Sequence, residues 1–531
     1  MDDAPAIEFV APVIQWSYLT PVIVVLGAGV LGVLIEAFVP DRVRRTVQLV
    51  LGLLATAGAV LATVLLWDDV SSTGGTDVVG SSVTMDAPAL VLQGIIALLG
   101  FVALLVVADR TDAGEDAFAA AAAGVPGSEY EAEAERRGLV QTEVYPLALF
   151  SLGGMMLFPA AGDLLTLFVA LEVLSLPLYL LSGMARRRRL LSQEASMKYF
   201  LLGSFASAFF LFGAALLYGV AGSVDLSAIA TAAGAFSSLD PLLLTGVLML
   251  LVGLLFKVGA VPFHSWTPDV YQGAPTPVTG FMAACTKVAA FGAMLRVVYV
   301  VLPPLEWEVM PVLWAVAVLT MVVGTVVAIV QTDVKRMLAY SSIAHAGFIL
   351  VGVVALTSSG VSGVLVYLLA YGFATIGAFG IVTLVREVHA GAGTAVVAEA
   401  THLSQWAGLG KRHPLLAVTF TLFLLSFAGI PLTGGFTGKF AVFTAAVEGD
   451  LAWLAVVGVV ASAAAVFFYV RMIVLMFFTD AVGTPGETTT VIRGRGLAVA
   501  AIAVAAVGTV VLGVAPAPFL DLLGDAARFL P

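Results

Sequence analysis

The chain has 531 residues, of which 60% are hydrophobic and only 11% are charged, and its formal net charge is −11. Soluble globular proteins have roughly 45–50% apolar and about 25% charged residues, so this composition predicts an integral membrane protein. The acidic balance argues against nucleic-acid binding, and the single cysteine, Cys285, excludes an internal disulfide framework or a cysteine-bound iron–sulfur cluster.

Apolar runs of roughly 18 or more residues predict membrane-spanning helices. The predicted spans are 18–39, 46–67, 88–108, 145–161, 163–185, 195–220, 241–270, 275–301, 311–332, 338–357, 361–388, 414–447, 452–478 and 497–519. Pro262 interrupts the seventh run and Pro431 the twelfth, and a proline breaks or kinks a helix because it lacks the N–H and its ring clashes with the preceding turn. We therefore expect an all-α membrane protein with about 14 transmembrane helices, of which helices 7 and 12 are broken. No basic leader with a cleavage site precedes the first run, so no removable signal peptide is expected.

The distribution of basic residues predicts the orientation. Most of the 24 basic residues fall in alternate connecting segments, such as 42–45 and 186–189, whereas the opposite segments carry acids such as Asp68 and Glu448. The positive-inside rule places the basic segments in the cytoplasm. Both termini are then expected on the outer side of a bacterial inner (plasma) membrane.

Three connecting segments are long and polar. The segment 109–143, which contains GSEYEAEAERRG, is expected to be cytoplasmic and either to form a short surface helix or to stay a disordered, solvated linker. The segment 389–413 is expected to lie on the surface, where it can touch a neighbour, and 479–496 to be a flexible linker. None of them has a metal-ligand cluster or a phosphate-binding glycine pattern.

Four ionisable residues fall near the middle of predicted spans: Glu172, Lys257, Lys287 and Lys439. A charge at the bilayer centre costs at least ~2.5–3.5 kcal/mol. One acid cannot neutralise three lysines, so structural ion pairs account for at most one of them. The set predicts a proton or ion path. Arg296 lies about 13 Å beyond Lys287 along the same helix, which places it near the outer surface.

Three further residues are secondary candidates. Lys198 can pair with Glu194 at i,i+4 near the start of helix 6. His345 lies within helix 10, where its near-neutral pKa suits proton shuttling, although a hydrogen-bonded core histidine fits the pattern equally well. His264 follows the break in helix 7 and either lines a cytoplasmic mouth or braces the connection.

The two broken helices are five helices apart, which predicts two five-helix units, helices 4–8 and 9–13. Because each unit has an odd number of helices, the second is inverted relative to the first, as in many ion transporters. The chain then divides into 1–144 (three helices and a cytoplasmic loop), 145–301, 311–479, and 480–531 (a linker and the last helix).

The stretch FKVGAVPFHSWTPDVYQGAPTPVTGFMAACTKVAAF resembles the proton-translocating antiporter-like subunits of respiratory complex I. Its VYQGAPTPVT segment is more similar to the subunit N branch of this family than to subunits L and M. The resemblance continues through LFVALEVLSLPLYLL, EASMKYFLLGSFASAFFLFG, DVKRMLAYSSIAHAGF and GIPLTGGFTGKF, over roughly residues 145–480.

This resemblance implies fourteen helices with inverted repeats and a set of residue roles. Glu172 would pair with Lys257, Lys287 would link two half-channels, and Lys439 would serve the exit, with Lys198 on the uptake side. Subunit M usually has Glu at the last of these positions and subunit L continues into a lateral helix, so Lys439 and the short C-terminal region favour the N branch.

The resemblance also implies that the chain acts as a subunit of the enzyme NADH:quinone oxidoreductase, with no redox chemistry of its own. Quinone, FMN and iron–sulfur clusters are expected in partner subunits, with M-, K- and J-like membrane subunits and lipids as neighbours. A lysine holds its proton beside a carboxylate and releases it when desolvated alone, so movement of Glu172 relative to Lys257 would drive transfer. Two alternatives stay open: a subunit of a multisubunit Na⁺/H⁺ antiporter, and a structural membrane-arm subunit whose charges lock helices together.

Overall fold

The computed structural model describes residues 13–111, 114–122, 124–235, 240–389, 396–480, 487–492 and 496–530. Twelve helices in this part of the chain are long and apolar enough to cross a bilayer, and shorter apolar helices cover Val144–Ala160, Leu226–Ala235 and Pro414–Ala428. Helices suit these apolar runs because they satisfy every backbone hydrogen bond within the segment. The chain is a multi-span, predominantly helical membrane protein.

The N-terminal part of the chain is mainly helical. Its helices are α1 (Trp16–Phe38), α2 (Asp41–Thr73), α3 (Ala87–Val107), α4 (Glu129–Arg136) and α5 (Val144–Leu157), which continues as a 3₁₀ turn over Phe158–Ala160. The short strands β1 (Thr76–Asp77) and β2 (Thr84–Met85) pair antiparallel between α2 and α3. Asp86 begins α3 by accepting a hydrogen bond from the Ala89 N–H at 3.0 Å, which satisfies one free donor of the first turn.

The middle of the chain packs against α3 and α5. Its helices are α6 (Leu164–Ser182), α7 (Arg189–Ala221), α8 (Leu226–Ala235), α9 (Pro241–Val258), α10 (Trp266–Gly273), α11 (Thr276–Phe281) and α12 (Lys287–Val300), with a π-helical turn over Met282–Thr286. Helix α9 ends at Gly259, whose φ of 76° suits a residue without a side chain. Residues 259–265 separate α9 from α10.

The remaining helices belong to the second part of the chain. They are α13 (Glu306–Val330), α14 (Val334–Val353), α15 (Ser358–Leu384), α16 (Leu409–Arg412), α17 (Pro414–Ala428), α18 (Gly434–Glu448), α19 (Ala452–Phe478), α20 (Leu497–Val514) and α21 (Ala517–Asp525), with 3₁₀ turns over Pro303–Leu305 and Leu403–Trp406. Helix α15 packs against α14, α17, α18 and α20, while α13 and α19 pack against α14. The segment Thr276–Val300 and helix α15 are buried along their whole apolar windows, whereas only a third of the α20 window is buried.

A three-stranded antiparallel sheet covers one end of this part. It contains β3 (Val385–His389), β4 (Val396–Glu399) and β5 (Glu487–Val491), in the order β4–β3–β5. The predicted helix 361–388 was therefore too long: it ends at Leu384, and the chain continues as a strand. The predicted flexible linker 479–496 was also wrong in part, because its Thr/Val run pairs with β3 as β5.

The segment 109–143 contains the short helix α4, one of the two forms expected for it. A fully solvated linker is excluded, because the side chains of Ala119–Ala121 are buried. Arg189 binds this segment through Glu131 at 3.0 Å and the Ala122 carbonyl at 2.8 Å. Five stretches of the three polar segments lie outside the described residues: 112–113, 123, 390–395, 481–486 and 493–495. Residues 1–12, where no signal peptide was expected, also lie outside them.

Candidate functional site

Lys257 lies in the last turn of α9, and only 3% of the residue is exposed. Its Nζ donates to Ser175 Oγ at 2.7 Å and to the Tyr199 hydroxyl at 3.3 Å. The ammonium also lies 5.4 Å from the centroid of the Tyr199 ring, a distance at which the face of an aromatic ring attracts a cation. Two hydroxyls and a ring face therefore hold this cation.

Glu172 lies one turn before Ser175 on α6, and its Oε1 accepts a hydrogen bond from Ser207 Oγ at 2.5 Å. Among the ion pairs of the described residues, none within 4.0 Å joins Glu172 to Lys257. A cavity of about 10 Å³ is lined by Ser175, Ser207 and Lys257, and a volume of about 10–15 Å³ is what one water molecule needs. The cavity therefore joins Lys257 to Ser207, the serine that donates its hydrogen bond to Glu172.

Lys287 follows the π-helical turn at the start of α12. Its Nζ donates to the backbone carbonyls of Ser342 at 2.6 Å and Val258 at 3.2 Å. Val258 is the last residue of α9, so its carbonyl lacks an intrahelical partner, and Pro262, four residues on, has no N–H to supply one. The C-terminal end of a helix carries partial negative charge, which makes the end of α9 a suitable place for an ammonium group.

Lys439 on α18 is held in the same way at the end of α17. Its Nζ donates to the carbonyls of Phe427 at 2.8 Å and Ala428 at 3.1 Å and to Ser462 Oγ at 2.7 Å. Phe427 is four residues before Pro431, so its carbonyl is also free of an intrahelical partner. The sequence marked Lys439 and Pro431 as notable, whereas the hydrogen bond between Lys439 and the Phe427 carbonyl is a finding of the structure.

His345 on α14 lies between these two lysine environments. Its Nδ1 is 2.7 Å from the Tyr367 hydroxyl, and its Nε2 is 3.2 Å from the Tyr469 hydroxyl. Its ring is 5.5 Å from the ring of Phe427, whose carbonyl binds Lys439. On the other side, Lys287 binds the carbonyl of Ser342, on the same helix as His345.

The two remaining candidates lie away from this group. Lys198 pairs with Glu194 at 2.7 Å, as the spacing predicted, and also with Asp269 at 2.7 Å. Asp269 in turn binds Arg336 at 2.7 Å. His264 is partly buried between α9 and α10, and its Nδ1 has no hydrogen-bond partner among the described residues.

Sequence reasoning missed the polar groups around each charge. Ser175, Ser207 and Ser462 bind the central ionisable residues, and Tyr367 and Tyr469 bind His345. For one of them a signal existed, because Ser175 follows Glu172 by three residues and so lies on the same helix face.

Comparison with known proteins shows which class of protein has this fold and these charges. The family described as "NADH:quinone oxidoreductase/Mrp antiporter, TM" matches residues 161–465, more than half of the chain, and this range includes Glu172 and the three central lysines. A chain of respiratory complex I from Thermus thermophilus with bound aureothin is 31% identical, with a TM-score of 0.74, over 94% of this chain and 98% of that chain. A chain of the Mrp complex from Dietzia sp. is 22% identical, with a TM-score of 0.77, over 97% of both chains; this likeness shows the fold alone. The protein is an antiporter-like membrane subunit.

Relatives of full length specify the branch. The NADH-quinone oxidoreductase subunit N of Beutenbergia cavernae is 65% identical over 534 residues, covering 98% of this chain and 100% of that protein. The subunit N of Mycobacterium tuberculosis is 54% identical over 535 residues, covering 98% of this chain and 99% of that protein. The chain therefore belongs to the NADH-quinone oxidoreductase subunit N family.

Proposed function

We propose that this chain is the proton-translocating membrane subunit of a bacterial NADH–quinone oxidoreductase, in which electron transfer in partner subunits drives proton movement through buried side chains. One observation carries the proposal. Lys257, Lys287 and Lys439 are buried, with at most 5% exposed, and none of them takes part in an ion pair of the described residues. A lysine that only locks helices together needs a carboxylate to offset the loss of hydration. Hydroxyl and carbonyl oxygens instead suit a group that alternates between the ammonium and amine forms.

The contacts support one order of transfer. Glu172 and Ser207 pass a proton by way of one water and Ser175 to Lys257. Lys287 binds the carbonyl of Val258, the residue that follows Lys257, and so receives the proton next.

The second half of the path runs from Lys287 past His345, with its partners Tyr367 and Tyr469, to Lys439 at the exit. Water molecules complete the gaps between these groups. The driving force comes from quinone reduction by partner subunits that hold FMN and iron–sulfur clusters. Lys198, paired with Asp269, and His264 act on the uptake side.

The proposed architecture has fourteen transmembrane helices in two inverted five-helix repeats. The twelve long helices support it, together with the shorter apolar segment Val144–Ala160 as helix 4 and α17 with α18 as the broken helix 12. Helix α9 with α10 forms the broken helix 7. The proposed divisions are 1–144, 145–301, 311–479 and 480–531, and the family match at 161–465 covers most of the two repeats.

The proposed setting is the plasma membrane of a bacterium, with both termini on the outer side and the basic segments in the cytoplasm. The neighbours are the M-, K- and J-like membrane subunits and lipids. The chain takes part in the enzyme as the proton-conducting subunit.

The test is Lys287→Met in the assembled complex, reconstituted into vesicles. Methionine preserves the volume and the apolar stem of the side chain but cannot carry a proton. Groups that transfer protons contribute about 10²-fold or more, so we expect normal assembly, shown by native gel electrophoresis, with quinone-dependent proton uptake reduced by at least about tenfold. Lys411→Met, which removes an exposed lysine paired with Asp480, is the control and should pump normally.

Two outcomes would contradict the role of Lys287, and a third would contradict the proposed function as a whole. Full proton pumping by an assembled Lys287→Met complex would remove Lys287 from the path. Loss of assembly, with normal pumping per complex that does assemble, would assign the lysine a structural role. Sodium-coupled transport without quinone reduction would instead support the antiporter alternative.

A further inference from the structure

A long groove opens on the surface of the second part, away from the buried lysines. It has a volume of about 700 Å³ and lies between the end of α15, the first two turns of α17 and one face of α20. Pockets of about 300–1,000 Å³ accommodate ligands of substantial size. The groove has no role in the proton path described above.

The walls of the groove are apolar. Ile381 on α15, Leu415 and Thr419 on α17, and Ile502 and Ala506 on α20 line it. Leu415 is 81% exposed. Both α17 and α20 are apolar helices, and Leu415 and Val499 in the groove are exposed apolar side chains. At the depth of these helices the concavity therefore opens toward the hydrocarbon interior of the membrane rather than toward water.

One end of the groove is cationic. Arg412 and His413 lie at its mouth, where α16 meets α17. The Arg412 guanidinium is anchored by the carbonyls of Thr489 at 2.7 Å and Ala407 at 3.2 Å. A guanidinium has five N–H donors, so these two bonds fix its position and leave donors for an anion.

The length of the groove matches part of a single leaflet. From Pro414 to Thr419, α17 advances about one and a half turns, roughly 7.5 Å, whereas the hydrocarbon core of a bilayer is ~30 Å thick. An apolar concavity within one leaflet, with an arginine at the membrane surface, is complementary in shape and charge to an amphiphile with an anionic headgroup.

We infer that this groove binds one anionic glycerophospholipid, with its acyl chains between α17 and α20 and its phosphate on Arg412. The binding site is independent of the proton path, so its failure leaves the proposed function unaffected. Acyl chains in the groove contact the side chains of α17 and α20 that face it. Without a ligand these side chains would lack van der Waals partners.

The test uses the whole complex in vesicles of phosphatidylethanolamine containing a trace of photoactivatable phosphatidylglycerol, with photoactivatable phosphatidylcholine as the zwitterionic comparison. After irradiation, labelled peptides from α17 and α20 are quantified. We expect phosphatidylglycerol to label the groove more than phosphatidylcholine. Arg412→Gln should reduce this labelling by about fivefold, since a basic residue at the surface is worth about that factor toward anionic lipid.

Ala503→Trp fills the groove and should remove the label, whereas Ala464→Trp, an exposed alanine of α19 outside the groove, should leave it unchanged. If Ala503→Trp prevents assembly, the comparison of the two lipids and the Arg412→Gln variant still test whether the groove binds an anionic lipid. Equal labelling by both lipids together with no effect of Arg412→Gln would overturn the inference. A cross-link from residue 503, introduced as Ala503→Cys, to a helix of another subunit would also overturn it.

Discussion

The ligands of the buried lysines explain how three ammonium groups lie inside an apolar bundle. Lys257 is held by side-chain hydroxyls, whereas Lys287 and Lys439 are held mainly by backbone carbonyls. Oxygens of this kind accept hydrogen bonds from an ammonium without fixing a negative charge beside it. The lysines are therefore solvated by the protein without being locked as ion pairs.

Ser175→Ala tests this solvation at one residue. It removes the 2.7 Å acceptor of Lys257, and a hydrogen bond to a charged group is worth about 1.5–3 kcal/mol. We expect normal assembly and proton pumping slowed on the order of tenfold. Ser182→Ala is a matched control on the same helix, because the Ser182 hydroxyl binds only the Leu178 carbonyl among the described residues. Equal effects of both substitutions would refute a role for Ser175 in the path.

The charged positions could be predicted from the sequence, but their partners could not. Lys257 and Lys439 are conspicuous because a charge within an apolar run is rare. Serine and tyrosine are ordinary residues of membrane helices, so Ser462 and Tyr469 give no signal until the fold brings them close. Arg296 shows the same limit, because its acid partner, Asp86, is 210 residues away in the sequence.

At the scale of elements, two helix ends have the same design. Helices α9 and α17 each end before a proline, and in each case the carbonyl four residues before that proline binds a lysine from another helix. The prolines were the basis for predicting breaks in helices 7 and 12. At each of these prolines, one backbone carbonyl of the preceding helix is left available to a lysine ammonium.

Pro431→Ala is the test of this design. It removes a penalty of about 3 kcal/mol against a continuous helix. Extension of α17 through residue 431 would then place a new N–H on the Phe427 carbonyl, in competition with Lys439. We expect the complex to assemble with proton pumping reduced severalfold. Pro311→Ala, a proline within α13, should have no such effect. Normal pumping by Pro431→Ala would show that the free carbonyl is dispensable.

The sheet end of the molecule is held by a carboxylate that the sequence did not single out. Glu399 on β4 binds Arg386 at 3.4 Å, Lys335 at 3.6 Å and the Thr276 hydroxyl at 2.6 Å. Strands this short depend on such tertiary contacts, which explains why periodicity alone predicted a helix to residue 388 and a linker at 479–496.

This carboxylate makes the stability of the sheet depend on pH. Burial raises the pKa of the Glu399 carboxyl. The positive charges of Lys335 and Arg386 lower this pKa by more than burial raises it, so the pKa lies below its usual value. The stabilisation is therefore present above the ordinary pKa of about 4.3 and is lost as the pH falls through the lower folded-state pKa.

Glu399→Gln should accordingly accelerate backbone hydrogen exchange in β3 and β4 at pH 7, and the difference from the unchanged protein should shrink below about pH 4. Exchange is measured by mass spectrometry and corrected for the intrinsic pH dependence of the rate. Asp480→Asn, which breaks an exposed pair with Lys411, should change little because surface ion pairs contribute little. A difference that persists unchanged at low pH would exclude the ionised carboxylate as its cause.

At the scale of the whole molecule, one buried ion pair connects regions that are far apart in the chain. Arg296 on α12 binds Asp86 at 2.8 Å and the Pro159 carbonyl at 2.7 Å. Asp86 caps α3 and also accepts a hydrogen bond from the Leu530 N–H at 3.0 Å. The N-terminal helices, the first predicted repeat and the C-terminal end thus meet at this pair, which the division of the chain into four parts did not anticipate.

Removing either partner of this pair should therefore lower the stability of the whole chain. Removing one partner of a buried pair costs about 3–5 kcal/mol because the other charge is left buried and unpaired, so Arg296→Met and Asp86→Asn should each shorten the half-life of the assembled complex on heating. The double variant should be less impaired than the sum of the two, since asparagine can still cap α3 and no unpaired charge remains. Half-lives are measured at one temperature in mild detergent, with proton pumping per intact complex as the second readout. Pumping should stay normal in all three variants, because the pair lies outside the lysine path; additive losses of half-life would show that the two residues act separately.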